Sequence, residues 1–220
     1  MEIVVDPYEH LGILNALNKV QKVIDSAFLL RGRFNPTVVA AGGCVRDFML
    51  REYGNRENAF TRDIDIFVLG YNHIMGEADD VVFAEKLVEA GFHTIPICWE
   101  DCMNYARSGN ILVAGLEDTG NPNYPEIQVM ISKATTPGQL IDNFDFDINQ
   151  GYAILSPSRE SLIIHHKFQN EFDWMKLTSG ITKARITSYH PTKEVLEKRI
   201  EKFSSRFGIK FECPKGYSKA

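Results

Sequence analysis

The sequence predicts an α+β domain, a small mixed β-sheet flanked by helices. Two observations carry that prediction. A strand with strict apolar/acidic alternation (Asp63-Ile64-Asp65-Ile66) sits in the first half of the chain. The order helix, strand, glycine turn, helix, strand is then followed by further strands mixed with helices, without the regular strand–helix repeat of a doubly wound parallel sheet. A chain of 220 residues with 44% hydrophobic and 24% charged content is long and apolar enough for one well-cored domain with a small appendage. The expected division is a main body over 1–175 and a basic helical extension over 176–220 packed on it.

From about Tyr8 to Leu30, Leu11, Leu14, Leu17, Val20, Val23, Ile24 and Phe28 fall at helical spacing and predict an amphipathic helix. After Pro36, Thr37 to Ala41 reads as a short apolar strand that ends at Gly42-Gly43. Val45 to Tyr53 reads as a helix stopped by Gly54. The strand from Thr61 or Arg62 to Leu69 sends Ile64, Ile66 and Val68 to one face and Asp63 and Asp65 to the other. Asp79-Asp80 opens a helix to Ala90 that closes at Gly91. Residues 94–115 suggest short strands and loops, and Gly120 to Asn123 a turn. Glu126 to Ile131 is a further strand, and Thr136 before Pro137 opens a short helix through Asp142. Phe144 to Leu155 is expected as one strand with Asp145, Asp147 and Asn149 alternating along it. Pro191 to Phe207 is a late basic helix stopped by Gly208.

The net charge of −5 speaks against passive nucleic-acid binding. The charge is uneven, however. Residues 176–220 hold eleven Lys/Arg against four Asp/Glu, so the acidic excess belongs to the rest of the chain. A basic C-terminal end beside an acidic body can guide a polyanionic substrate, although a solvated helix face explains it equally simply. No apolar run approaches the roughly 18 residues of a membrane span, and no secretory leader pattern opens the chain. Cys44, Cys98, Cys102 and Cys213 are sparse, and the C-x3-C pair lacks a second ligand pair. Free thiols in a reducing cytoplasm are therefore expected, not a zinc site.

Two fragments carry chemistry. Gly42-Gly43 after a strand lets the backbone approach a phosphate closely, and the N–H groups opening the next helix favour anionic oxygens. Arg46, one turn in, can add a phosphate contact, and Asp47 completes the motif. Asp63 and Asp65 point the same way with their carboxylates a few Å apart. Such a pair repels itself unless a cation lies between, and Mg²⁺ is held by one or two carboxylates together with substrate phosphates.

Gly42-Gly43-Cys44-Val45-Arg46-Asp47 followed by Asp63-Ile64-Asp65 resembles the G-G-x-V-R-D and D-x-D motifs of the nucleotidyltransferase superfamily that includes DNA polymerase beta. The resemblance is to the head domain of tRNA CCA-adding enzymes and bacterial poly(A) polymerases. It implies an Mg²⁺ (or Mn²⁺) enzyme that moves a nucleoside monophosphate from an NTP to an acceptor hydroxyl and releases pyrophosphate. It also implies a third carboxylate. Asp145 is the first candidate, in a stretch resembling D-F-T-I-N, with Asp147 and Glu126 behind it. The nucleotide-binding set is then Gly42, Gly43, Arg46 and Asp47, and the metal set Asp63, Asp65 and Asp145.

The E-D-x-x-R base-reading motif and a double arginine before the D-F-x-I-N-like stretch are missing, and only 65 residues follow Leu155. The acceptor is therefore open among RNA (or tRNA, through the basic C-terminal segment), a protein and a small molecule. A catalytically inactive binding or regulatory module and a toxin-like transferase are the alternatives. His165-His166 reads as structural, because neighbours on a strand face opposite ways. Trp99 and Trp174 read as core or interface anchors. Lys183, Arg185, Lys193, Lys198, Arg199, Lys202 and Arg206 are candidates for touching substrate phosphates.

Overall fold

The computed structural model describes residues 2–5, 11–28, 36–54, 61, 63–70, 77–93, 110–115, 126–168, 184–185 and 193–212. The strands are β1 (Glu2–Val5), β2 (Thr37–Ala41), β3 (Asp63–Leu69), β4 (Asn110–Gly115), β5 (Glu126–Ser132), β6 (Gly151–Leu155), β7 (Leu162–His166), β8 (Ala184–Arg185) and β9 (Phe211–Glu212). The helices are α1 (Leu11–Phe28), α2 (Gly43–Gly54), α3 (Glu77–Glu89), α4 (Pro137–Asp142) and α5 (Lys193–Phe207). β1 to β7 form one sheet in the order β1-β7-β6-β2-β3-β5-β4, and β8 pairs with β9 apart from it. Among the described residues only β3 and β5 run parallel within the large sheet. The expected α+β architecture with a mixed sheet is the one observed.

Period-two alternation divides this sheet into two unequal faces. Ile64, Ile66 and Val68 join the larger core with Leu17 and Val20 of α1, Val45 and Phe48 of α2, Phe83 and Leu87 of α3, and Phe203 and Phe207 of α5. The other face carries Val39, Ala41, Phe67, Leu69 and Met130, against which only Leu140 and Ile141 of α4 bring helix side chains among the described residues. Asp63 and Asp65 lie on this second face, before Phe67 and Leu69 along the same strand. Asp63 is exposed and Asp65 half-buried, so the acids occupy the less covered end.

The local signals hold where chain chemistry decides the boundary. Thr136 caps α4, its hydroxyl accepting from the Gln139 N–H at 3.3 Å, with Pro137 in the first turn. α5 buries Leu196, Ile200, Phe203 and Phe207 at helical spacing and ends at Gly208, where φ is +66°. α2 begins at Gly43, two residues before the expected start. Gly42, at φ +80°, turns the chain, and its carbonyl accepts from the Arg46 N–H at 3.0 Å.

One expected element is corrected. The stretch from Phe144 does not run as a single strand; residues 147–149 form a short 3-10 turn, and β6 starts only at Gly151. Phe146 and Ile148 sink into the larger core, while Asp145 and Asn149 find partners outside the sheet. The ladder then resumes where Gly151 lets β6 come close to β7. A Cβ at Gly151 would collide with the His166 ring and lie 2.9 Å from Val45 Cγ1. Gly151→Ala is accordingly expected to cost about 2–3 kcal/mol, read as a lowered urea midpoint at unchanged slope.

β1 and β7 pair antiparallel at one side of the sheet. Among the described residues no helix is long and apolar enough to cross a membrane.

Candidate active site

The glycine turn is fixed from both sides. The Gly42 N–H donates to the Gly151 carbonyl at 3.1 Å, which ties the turn to β6. An added Cβ at Gly42 would sit 3.4 Å from the Phe144 ring, on a backbone angle that side chains rarely adopt. Gly42 is buried and Gly43 half-buried, so the turn presents backbone rather than side chains.

The turn and the acids meet. The antiparallel register sets Ala40 of β2 beside Ile66, so the turn that follows β2 comes level with the acid-bearing end of β3, and the thiol of Cys44, second residue of α2, donates to the Ala41 carbonyl at 3.6 Å. Burial first, then the charges of Asp65, Asp47 and Asp63, push that thiol up, so Cys44 stays a neutral packing group.

A third carboxylate joins Asp63 and Asp65 from the neighbouring strand. The parallel register sets Asp63 beside Glu126 and Asp65 beside Gln128. Paired positions on adjacent strands lie about 4.8 Å apart and share a face. The Gln128 amide donates to Glu126 Oε1 at 3.3 Å. Burial, and then the charges of Asp63 and Glu126, push the Asp65 carboxyl up to about 7, with Arg46 and Arg199 pulling the other way. This is an acid cluster whose repulsion the protein itself only partly offsets.

Asp145 is placed differently from its expected role. Arg199 pairs with its carboxylate, Nη2 donating to Oδ1 at 3.2 Å and Nε lying 2.7 Å from Oδ2 as an ion pair. The broken strand is the physical reason, since residues 145 and 147 no longer alternate along a ladder beside β3. Asp147 is half-buried at the head of the 3-10 turn.

Arg46 and Asp47 also turn inward. Arg46 is 5% exposed. Its Nε and Nη2 both reach Asp47 Oδ1 at 2.7 Å, and its Nη1 donates to Asn149 Oδ1 at 2.9 Å. The guanidinium carbon lies 4.7 Å over the Phe203 ring and 5.0 Å over that of Phe207. Arg206 closes the network on Asp47 Oδ2 at 3.1 Å. Burial pushes the Asp47 carboxyl up, while Arg46 and Arg206 pull it back.

Sequence reasoning did not see that one face of α5 holds both the Arg46-Asp47 segment and Asp145. Arg199, Phe203, Arg206 and Phe207 recur at helical spacing, but a mixed cationic and aromatic stripe does not stand out as a face. The basic helix was legible as basic; its inward-facing members were not.

The two histidines separate as expected for neighbours on a strand. His166 is buried, its Nδ1 accepting from the Phe168 N–H at 2.9 Å and its Nε2 3.1 Å from the Ile148 carbonyl. Burial lowers its pKa to about 4, so it stays neutral. His165 stacks on Tyr152 at 4.7 Å. Arg62, Cys98, Trp99, Cys102, Trp174, Lys183 and Cys213 lie outside the described residues.

No protein-family model and no curated protein matches the chain. Solved structures do. One CCA-adding enzyme in apo form aligns with 96% of this chain at 20% identity and a TM-score of 0.53. A CCA-adding enzyme in complex with CTP aligns with 96% at 22% identity and a TM-score of 0.54. One with ATP gives the same coverage and identity at 0.50. The chain spans 43–44% of the length of these proteins. At such identities the likeness speaks for the fold, which is the nucleotidyltransferase fold of the CCA-adding enzyme head domain.

Proposed function

We propose that the chain is a divalent-metal-dependent nucleotidyltransferase that moves a nucleoside monophosphate from an NTP to an acceptor hydroxyl. One observation carries this reading: the strand register brings the Gly42-Gly43 turn and the carboxylates of Asp63, Asp65 and Glu126 to the less covered end of the sheet. The structural neighbours solved with CTP and ATP support an NTP as donor.

The donor set fits a hard cation. Among the described residues no three His, Cys, Asp or Glu side chains form a group that could hold a metal ion by itself. Magnesium does not need one, because it takes one or two carboxylates and completes its shell with water and phosphate oxygens. Burial first, and then the charges of Asp63 and Glu126, raise the Asp65 carboxyl, and a bound cation would offset the repulsion among the acids. Asp63 and Asp65 would hold the ion, with Glu126 as the third acid in preference to Asp145. When bound, the ion neutralises the triphosphate and makes the acceptor hydroxyl easier to ionise.

The chain's own residues supply the rest. The turn at Gly42-Gly43 admits phosphate oxygens to backbone N–H groups that a Cβ would obstruct. Arg46 and Asp47 hold α2 and its turn in place rather than reaching into the cleft. The acceptor oxygen bonds to the α-phosphorus, the bond to the β-phosphate bridge breaks, and pyrophosphate leaves.

Incubation with each labelled NTP, Mg²⁺ or Mn²⁺, and total RNA should yield labelled RNA and pyrophosphate in step. Binding of NTP without pyrophosphate release, over RNA, protein and small-molecule acceptors, would instead identify a binding module on this fold.

A further inference from the structure

Two cations stand near the acid cluster, Arg46 beside the glycine turn and Arg199 on Asp145, whose neighbour Phe144 lies against Gly42 and 6.0 Å from the Phe67 ring on the acid-bearing face, and they are built differently. Arg46 is buried and its guanidinium is committed to Asp47, Asn149 and two phenylalanine rings. The Arg199 side chain is 44% exposed, while that of its partner Asp145 is 15% exposed. The pair uses Nε and Nη2, which leaves Nη1 of Arg199 without a partner among the described residues. The guanidinium carbon rests 5.6 Å from the Phe146 ring and 5.9 Å from that of Phe203. Arg199 is thus held in orientation on two sides, with one donor edge left over.

We propose that Arg199 is a phosphate-binding residue of the same cleft, delivered by α5 to the polyphosphate of the donor nucleotide and held ready by Asp145. The proposal rests on the nucleotidyltransferase reading and adds a ligand that neither sequence motif contains. The chemistry favours it on three counts. A planar guanidinium matches phosphate oxygens as well as it matches a carboxylate, so a triphosphate can share or take over the fork. The arginine side of the pair is open to solvent, so a phosphate can reach the guanidinium without displacing a buried group. The aromatic shelf formed by Phe146 and Phe203 limits the orientations the side chain must give up when the ligand arrives.

Asp145 distinguishes this role from a purely structural latch. Both Arg199→Ala and Asp145→Asn break the ion pair, but only the first removes the cation. Calorimetric titration with inorganic tripolyphosphate plus Mg²⁺, and with ATP plus Mg²⁺, reads the difference. Arg199→Ala is expected to weaken both about tenfold, while Asp145→Asn binds both as tightly as the unsubstituted protein or more tightly. Arg199→Lys, which keeps the charge without the fork, should fall between them. Melting curves of the three variants show that each is folded at the titration temperature. If Arg199→Ala binds like the unsubstituted protein, or if Arg199→Ala and Asp145→Asn weaken binding equally, the proposal is overturned. Weakening by Asp145→Asn alone overturns it too and makes Asp145 a metal ligand. Failure of the unsubstituted protein to bind either probe removes the nucleotidyltransferase reading itself.

Discussion

Asp65→Asn is expected to abolish nucleotidyl transfer and, at the same time, to make the metal-free protein more stable. The activity loss should be on the order of 10³-fold or more, because an amide cannot hold the cation that the reaction requires. The stability gain follows from the acid cluster. In the folded protein the Asp65 carboxyl is pushed up to about 7 from an ordinary 3.8, first by burial and then by Asp63 and Glu126. The folded state therefore holds on to a proton that the unfolded chain has already released. Stability from this group is fully present below about pH 4 and is lost as pH rises through 7. Asparagine carries no such charge, so the difference between variant and unsubstituted protein should grow across that window. At pH 8 it should reach on the order of 1–3 kcal/mol, measured by urea unfolding in EDTA. Saturating Mg²⁺ should shrink the gap by stabilising the unsubstituted protein alone. Equal stability of the two proteins at pH 5 and pH 8 would show that the three carboxylates do not repel one another as their placement implies.

The acid pair and the glycine turn were legible because they are written in local patterns. An i, i+2 acid pair on an alternating strand fixes its own face, and a strand ending in Gly-Gly fixes its own turn. Glu126 was legible only as a candidate, since its distance from Asp63 depends on the parallel pairing of two strands separated by some sixty residues. Nothing in a single strand announces its partner. The strand expected from Phe144 to Leu155 illustrates the opposite error. Alternating polar residues from Phe144 onward imitate a half-exposed strand, yet the chain breaks there because Arg199 and Arg46, one on α5 and one on α2, draw Asp145 and Asn149 off the ladder. Long-range ion pairs override a period-two pattern when the apolar residues between them can still reach a core, as Phe146 and Ile148 do.

Arg46→Ala is expected to lower stability by about 3–5 kcal/mol, the second large effect, and its pattern separates a strut from a substrate ligand. The side chain is buried among Asp47, Asn149, Phe203 and Phe207. Removing it leaves the Asp47 carboxylate with Arg206 as its remaining partner and the Asn149 oxygen without its donor. It also opens a void against two phenylalanine rings. Breaking one side of a buried ion pair carries a penalty of this size because the remaining charge stays desolvated. For a chain of this length the melting temperature should fall by roughly 10 °C. Removing both charges tests the cause: Arg46→Met combined with Asp47→Leu should recover more than half of the loss, since an apolar pair leaves no buried charge behind. If Arg46 instead reached into the cleft, Arg46→Ala would leave the melting temperature within about 2 °C of the unsubstituted protein and weaken only Mg·ATP binding. The buried guanidinium argues for the first outcome. In that case α5 holds the glycine turn from behind through Arg46, while Arg199 on the same helix remains available at the front.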